Sequence, residues 1–526
     1  MRNLAIACVA AAAMLTPATG RQSRPDEVEA AFAKFWAART VEETEAVAAE
    51  IVASGAEFDD AWTRLKRGRV YANTVPSGPV RLQRRTALGA FACIVDVPQS
   101  YDATKKYQVR VQLHGGVMTR VTGEPRAAGG IGTLAGAEQI YVIPFAWRDA
   151  PWWSATQEEN LRAILDTVKR TYNVDENRIV LAGVSDGATA AYYFAMRDTT
   201  PFAGFLALNG NIMVLANGQL SVGELFPANL LNKPLFVVNG GLDPLYPAAA
   251  VGPYVEHLQK SGVQVTYVVQ PNGAHNTQWW PSVRDSFESF VRDHPRNPHP
   301  DRITWETERA DAHNRAHWLV VDALRAPTFG VGSVLDQEPS LPDVNEFARD
   351  LVMTFGVVGS GTRVSVIQPG SNAERLGLRP GDTIVSINGR AFSSASELAD
   401  ALKTFHAGDQ LVIVVSRTGR RAETQGVFQR ETAPGIVMFP HREAWGRVDL
   451  VRVGNTVNAR ADGVAAFRLL LSPDVFDFSQ PVKVVVNGRV AFDGRVERSV
   501  ATLVKWAARD NDRTMLFGAE LPITIH

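Results

Sequence analysis

The sequence predicts an α/β fold: a mostly parallel sheet with helices on both faces, followed by smaller β-rich units. Three observations carry this. Between residues 88 and 296, strand-like runs alternate with helix-like stretches. Several of the runs are continuously apolar, as strands buried on both faces require. After the polar, proline-rich break RDHPRNPHPDR (292–302) the helical periods stop and alternating apolar–polar runs take over.

Taken in order, the strands of the first unit are FACIVDVP, YQVRVQLHGG, QIYVIPFAW, RIVLAGVS, GFLALNG, PLFVVNGG and VTYVVQP. The helices between and after them are QEENLRAILDTVKRTY, GATAAYYFAM, AAAVGPYVEHLQKSG and SVRDSFESFVRDH. Ahead of this unit, DEVEAAFAKFWAA and VEETEAVAAEIVASG space apolar residues three and four apart, with acids in the first turns. They predict a helical hairpin within 21–80 that carries no visible chemistry.

The chain of 526 residues has room for three or four domains at roughly 100–200 residues each. A net charge of −1 gives no bulk attraction to nucleic acid or an anionic membrane. Residues 1–20 read as an export leader: Arg2, an apolar run from Leu4 to Leu15, then Ala18 and Gly20 placed for cleavage before Arg21. The run is too short to span a bilayer, and no later segment is apolar for long enough to do so. The expected location is outside the cytoplasmic membrane. Loss of Cys8 with the leader would leave Cys93 alone, in a strand-like run, so no internal disulfide is expected.

LAGVSDGATA (181–190) sets Ser185 between Gly183 and Gly187. The spacing matters because an apolar strand precedes it and a helix follows. A tight strand-to-helix turn needs nearly bare flanking positions, and it projects the serine oxygen from the end of the sheet. A serine needs a base, and the base needs an orienting acid. Asp243 follows the strand PLFVVNGG and His275 follows VTYVVQP, both just past strand ends where open α/β sheets place their sites. The strand VQL ends in His114-Gly115-Gly116, whose backbone can approach a developing oxyanion; the N–H of Asp186 is the expected second donor. Trp152, Trp153 and Trp279, with His114, are candidate pocket residues.

With LHGG, YNVDENRIVLAGVSDGA, GGLDPLYP and GAHNTQWW in place, residues 81–296 resemble an α/β-hydrolase of the secreted esterase type. That type is related to feruloyl esterases, polyhydroxyalkanoate depolymerases and prolyl-oligopeptidase-like hydrolases. The resemblance implies Ser185 as nucleophile, Asp243 as acid, His275 as base, and an ester as substrate. A peptidase of the prolyl-oligopeptidase-like type is the rival within the class. A non-catalytic scaffold is the rival outside it, and a Ser, Asp and His in the right chain order argue against that.

Residues 340–430 contain GSNAERLGLRPGDTIVSINGR and SASELADALKTF, and resemble a PDZ domain of the bacterial envelope type. The resemblance implies a peptide partner bound by strand addition, its carboxylate near Thr354, Phe355 and Gly356. The segment 302–325 and residues 445–526 alternate like strands and are expected to form one discontinuous, β-sandwich-like module around the PDZ unit. No cofactor is expected. His313 and His317, four apart in AHNRAHW, have the spacing of a zinc pair, but their flanks read as strands; no metal is assigned.

Overall fold

The computed structural model describes residues 25–125, 130–216, 225–325, 334–336, 351, 354–357, 361–365, 367, 371–429, 438–439, 441 and 443–525. The expected leader lies outside the described residues. Three helices open the chain: α1 (Pro25–Ala37), α2 (Val41–Ala53) and α3 (Phe58–Arg67). The sequence reading had two; α3 is the third, with acids first and Arg64, Lys66 and Arg67 last, as the helix dipole favours.

Eight strands form the main sheet: β1 (Gly78–Thr86), β2 (Gly89–Val97), β3 (Tyr107–Leu113), β4 (Ile140–Pro144), β5 (Val174–Val184), β6 (Gly204–Leu208), β7 (Leu235–Gly240) and β8 (Val265–Gln270). Their order is β1-β2-β4-β3-β5-β6-β7-β8. The first two pair antiparallel, and β4 through β8 run parallel. β1 escaped the sequence reading because Arg81, Arg84 and Arg85 break its apolar pattern; as an edge strand it needs only one buried neighbour.

The alternation of side chains along β5–β7 explains how both faces are covered. Leu181, Phe205, Ala207 and Val237 pack with α4 (Ala155–Thr171), α5 (Asp186–Arg197) and α6 (Ala248–Lys260). Their neighbours Val180, Ala182, Leu206, Phe236 and Val238 pack on the other side with Trp280, Val283 and Phe287 of α7 (Trp280–Asp293). The sheet thus has a parallel core and an antiparallel pair at its first edge.

After α7 the chain builds two further sheets. β9 (Arg302–Thr307), β10 (Arg315–Ala316) and β11 (Leu319–Leu324) precede the PDZ-like unit; β16 (Gly446–Val453), β17 (Thr456–Asp462), β18 (Val464–Leu471), β19 (Val482–Val486), β20 (Arg489–Gly494) and β21 (Ala519–Thr524) follow it. β9 pairs with β16, and β11 with β18. The two sheets face each other across one apolar core that holds Trp305, Trp318, Val448, Phe467 and Val484. The pattern after 447 predicted strands alone, yet a helix spans Val500–Asp510. Its Leu503, Val504 and Ala507 join Phe32, Phe35 and Ile51 of the opening helices in one cluster.

Between these halves lies a small sheet of order β13-β12-β14-β15, made by β12 (Thr383–Ile387), β13 (Arg390–Ala391), β14 (Gln410–Arg417) and β15 (Arg420–Val427). The helix Ala395–Leu402 covers it, and Phe355, Val364, Ile384, Leu398 and Ile413 fill its core.

The junction of the α/β unit and the β-module is hydrogen-bonded in an ordered way. β9 is an edge strand. The Asn232 amide donates to Thr304 O at 2.6 Å and accepts from Thr304 N–H at 3.1 Å. The Asn229 amide does the same with Glu306 O at 3.0 Å and Glu306 N–H at 2.7 Å. Two asparagines three apart thus supply the hydrogen bonds a neighbouring strand would have made.

Candidate active site

Ser185 sits at the end of β5, ahead of α5, with φ 57° and ψ −117°. A non-glycine residue tolerates such a conformation only where its surroundings enforce it. They do. A Cβ at Gly183 would lie 2.0 Å from Gly187 O, and a Cβ at Gly187 would lie 2.3 Å from Leu113 O. The turn closes only because both flanking residues are bare. Ser185 N–H donates to Leu208 O at 2.9 Å, fastening the elbow to β6.

The structure brings the three expected residues together. His275 Nε2 is 3.1 Å from Ser185 Oγ, and His275 Nδ1 is 2.8 Å from Asp243 Oδ2. Asp243 is fully buried, whereas His275 keeps about a quarter of its side chain exposed (23%). Asp243 Oδ1 accepts from Leu245 N–H at 2.8 Å and Tyr246 N–H at 3.0 Å. The carboxylate is therefore held in one orientation with one oxygen facing the imidazole. The loop carrying Asp243 presses on the loop carrying His275: a Cβ at Gly240 would lie 2.2 Å from Gly273 O.

The His114-Gly115-Gly116 turn lies beside the serine. A Cβ at Gly115 would stand 2.7 Å from Ser185 Cβ and 3.3 Å from its Oγ. Gly116 has φ 65°, the left-handed region that glycine enters freely. Asp186 serves this turn with its side chain as well as its position. Its Oδ2 accepts from Val117 N–H at 2.7 Å, tying the glycine turn to the start of α5. That tie was not read from the sequence, where Asp186 figured only through its N–H.

His114 is placed differently from the pocket role expected of it. Ala146 N–H donates to its Nε2 at 3.1 Å, so its Nδ1 carries the proton and donates to Gly115 O at 2.9 Å. Burial pushes it down to about 4. It is a neutral brace between two loops. Trp152 and Trp153 are likewise corrected: they are 2% and 3% exposed and sit in the main core, with Trp152 Nε1 donating to His114 O at 2.9 Å. Their large apolar area supports the wall from behind. Trp279, 8% exposed, caps α7 and packs with Trp280 and Val283.

Two further residues shape the site. Asn209, φ 51°, donates from Nδ2 to Asn276 O at 2.7 Å and so anchors the loop next to His275. The Tyr246 ring lies 5.8 Å from the His275 ring, and burial followed by the carboxylates of Asp186 and Asp243 raises its phenol above the ordinary range. Asparagine at a strand end was the available signal for the first; the second had none.

In the small unit, Thr354 and Phe355 are buried and Gly356 has φ 69°. Gly356 O accepts from Ser365 N–H at 2.7 Å, and Val357 bridges to Val364. Thr354 and Phe355 lie in a helical turn, and Gly356 leads to the bridge between Val357 and Val364. His313 and His317 both have φ 52° in the turn before β11. His313 Nε2 is 3.2 Å from Glu158, and His317 Nδ1 is 3.1 Å from Pro298 O, so each has a partner of its own.

Comparison with known proteins adds the following. Residues 363–417 match the family described as PDZ domain. The chain is 24% identical to "Probable feruloyl esterase C" of Aspergillus terreus over 207 residues, which cover 38% of this chain and 71% of that protein. It is 29% identical over 89 residues to "Periplasmic pH-dependent serine endoprotease DegQ" of Escherichia coli, covering 17% of this chain and 20% of that one. A periplasmic serine protease of Haemophilus influenzae, do/HhoA-like by its description, is 32% identical over 87 residues, 16% of this chain and 19% of its own. The chain thus spans only about a fifth of the two proteases. A solved ferulic acid esterase from Anaeromyces mucronatus overlays with a TM-score of 0.33 at 17% identity, covering 43% of this chain and 94% of its own. The chain thus joins a mostly parallel α/β unit to a segment that matches the PDZ domain family, and it is similar in sequence to a feruloyl esterase and to two periplasmic serine proteases.

Proposed function

We propose that this chain is a serine hydrolase of carboxylic esters. The observation that carries the reading is the hydrogen-bonded series Asp243–His275–Ser185, set at the carboxyl ends of parallel strands on a strained elbow. Ser185 Oγ attacks the ester carbonyl while His275 Nε2 takes its proton. Asp243 holds the Nδ1 proton and stabilises the imidazolium. The oxyanion is received by N–H groups of the Gly115–Gly116 turn and of Asp186, at the N-terminus of α5. Collapse expels the alcohol with the proton from His275 and leaves an acyl-serine. Water, deprotonated by the same histidine, then releases the acid.

Leu242 and Leu245 flank Asp243 with 66% and 61% of their surface exposed, and Met118 follows the glycine turn at 41%. Such apolar surface beside the loops of the site suits an apolar or aromatic acyl group. The PDZ domain supplies a peptide-binding edge beside Thr354–Gly356. Export follows from the leader-like residues 1–20 and agrees with the periplasmic naming of the PDZ relatives. Among the described residues no helix is long and apolar enough to cross a membrane.

A fluorophosphonate probe tests the reading. Wild type should label and hydrolyse p-nitrophenyl or feruloyl esters faster than peptide amides. Ser185→Ala should lose labelling and all but a small fraction of turnover; residual activity above about one per cent contradicts the assignment.

A further inference from the structure

Glu306 in β9, Asp336 ahead of the PDZ unit and His441 behind it meet at one point. One carboxylate oxygen from each acid and one ring nitrogen of His441 lie within 4.8 Å of one another. Both acids are 1% exposed. Glu306 Oε2 and Asp336 Oδ1 are buried with no hydrogen-bond partner among the described residues. Orphaned carboxylate oxygens inside a protein are costly and call for a partner.

We propose that Glu306, Asp336 and His441 form a binding site for a divalent transition cation of the zinc class. The charge arrangement supports it. The guanidinium of Arg447 contacts Glu306 at 3.0 Å and Asp449 at 2.7 Å, and Asp336 lies beside Glu306. The carboxylates outnumber the one guanidinium beside them. A dication answers both the excess charge and the unpaired oxygens. The donor set of one imidazole and two carboxylates favours zinc or manganese over calcium and magnesium, which prefer oxygen alone. Ligands at the usual zinc distances stand about 3.4 Å apart, so side-chain shifts of roughly an ångström complete the site. The imidazole is already oriented: Phe226 stacks on it at 4.8 Å and 13°, and Trp445 lies at 4.9 Å.

The consequence is positional. Asp336 O accepts from Met438 N–H at 2.7 Å, so the two approaches to the PDZ unit run side by side. Leu335, Met438 and Phe439 bury in the hydrolase core. A cation here would clamp both approaches onto β9 and fix where the PDZ domain leaves the catalytic unit.

The test uses the full chain, stripped of metal by chelation and dialysis, then titrated with zinc chloride against a chromophoric chelator. One tightly held zinc per chain is expected. Asp336→Asn and His441→Gln should each weaken it at least tenfold, and cobalt chloride should give visible absorption bands in wild type that His441→Gln loses. His441→Cys, which keeps a ligand, should retain binding. Circular dichroism establishes that each variant is folded. Wild type that takes up neither zinc, cobalt nor manganese overturns the site, whatever the variants do. So does binding that is unchanged in both folded variants.

Discussion

Replacing Asp243 by asparagine changes one group and, on this geometry, reverses the imidazole. Asp243 Oδ1 faces two backbone donors, the N–H groups of Leu245 and Tyr246. In the variant the amide oxygen has to stay there. Turning the NH₂ toward two donors would forfeit both bonds at about 1–3 kcal/mol each in a fully buried position. The NH₂ therefore faces His275 Nδ1, where it donates. The imidazole must then carry its proton on Nε2, 3.1 Å from Ser185 Oγ, and it can no longer accept the serine proton. The expected loss in kcat/KM is about 10⁴-fold, or about 5 kcal/mol, with little change in KM. The fold should survive, because the two backbone bonds are kept and the volume is unchanged; melting should move by only a few degrees. The assay is ester hydrolysis together with the rate of fluorophosphonate labelling and thermal unfolding. A loss smaller than about a hundredfold in a folded variant would refute the tautomer argument.

Gly187→Ala should destabilise the hydrolase unit by at least about 2 kcal/mol, since the new Cβ meets backbone at Leu113 rather than a side chain that can move; unaltered melting would contradict the crowding described. His114 makes the chain acid-sensitive. Its folded-state value lies at about 4 against 6.5 unfolded, so the unfolded chain binds the extra proton and stability is lost as pH falls from about 6.5 to 4, by about 3 kcal/mol in full. Glu306, pushed up, opposes this by losing stability as pH rises from 4.5 through about 7, so the comparison is wild type against His114→Gln across pH 4–7. If both lose the same stability on acidification, the His114 account fails. Removing residues 340–430 behind a short linker should leave a soluble chain that still labels at Ser185, because Met438 N–H already lies 2.7 Å from Asp336 O; collapse of the β-module in a melting or proteolysis assay would show otherwise.

The candidate triad was legible because its geometry imposes demands on sequence. An elbow this tight needs Gly183 and Gly187, and a site at strand ends puts the acid and base directly after apolar runs. The pairing of β9 and β11 with later strands was also readable, from a β-like segment with no neighbour of its own kind. Other features left no trace. Trp152 and Trp153 belong to a loop, and composition does not tell which side of a loop faces inward; the core took them. β1 carries Arg81, Arg84 and Arg85, which an edge strand with one paired neighbour tolerates but which hide it from an apolar pattern. Glu306, Asp336 and His441 share no motif, since the last two lie 105 positions apart, with the whole PDZ unit between them. Only the folded chain brings them to one place.

The packing of the opening helices on Val500–Asp510 has a bearing on how the molecule is made. The apolar faces of α1 and α2 are closed by Leu503, Val504 and Ala507 of the helix Val500–Asp510, made long after them. Until then Phe32, Phe35 and Ile51 pack only within the short opening helices, which are marginal on their own. The opening helices therefore complete their core only with a segment from far along the chain. This makes that segment a checkpoint. Chains truncated before residue 500 would carry a bare apolar hairpin, a ready mark for proteolysis.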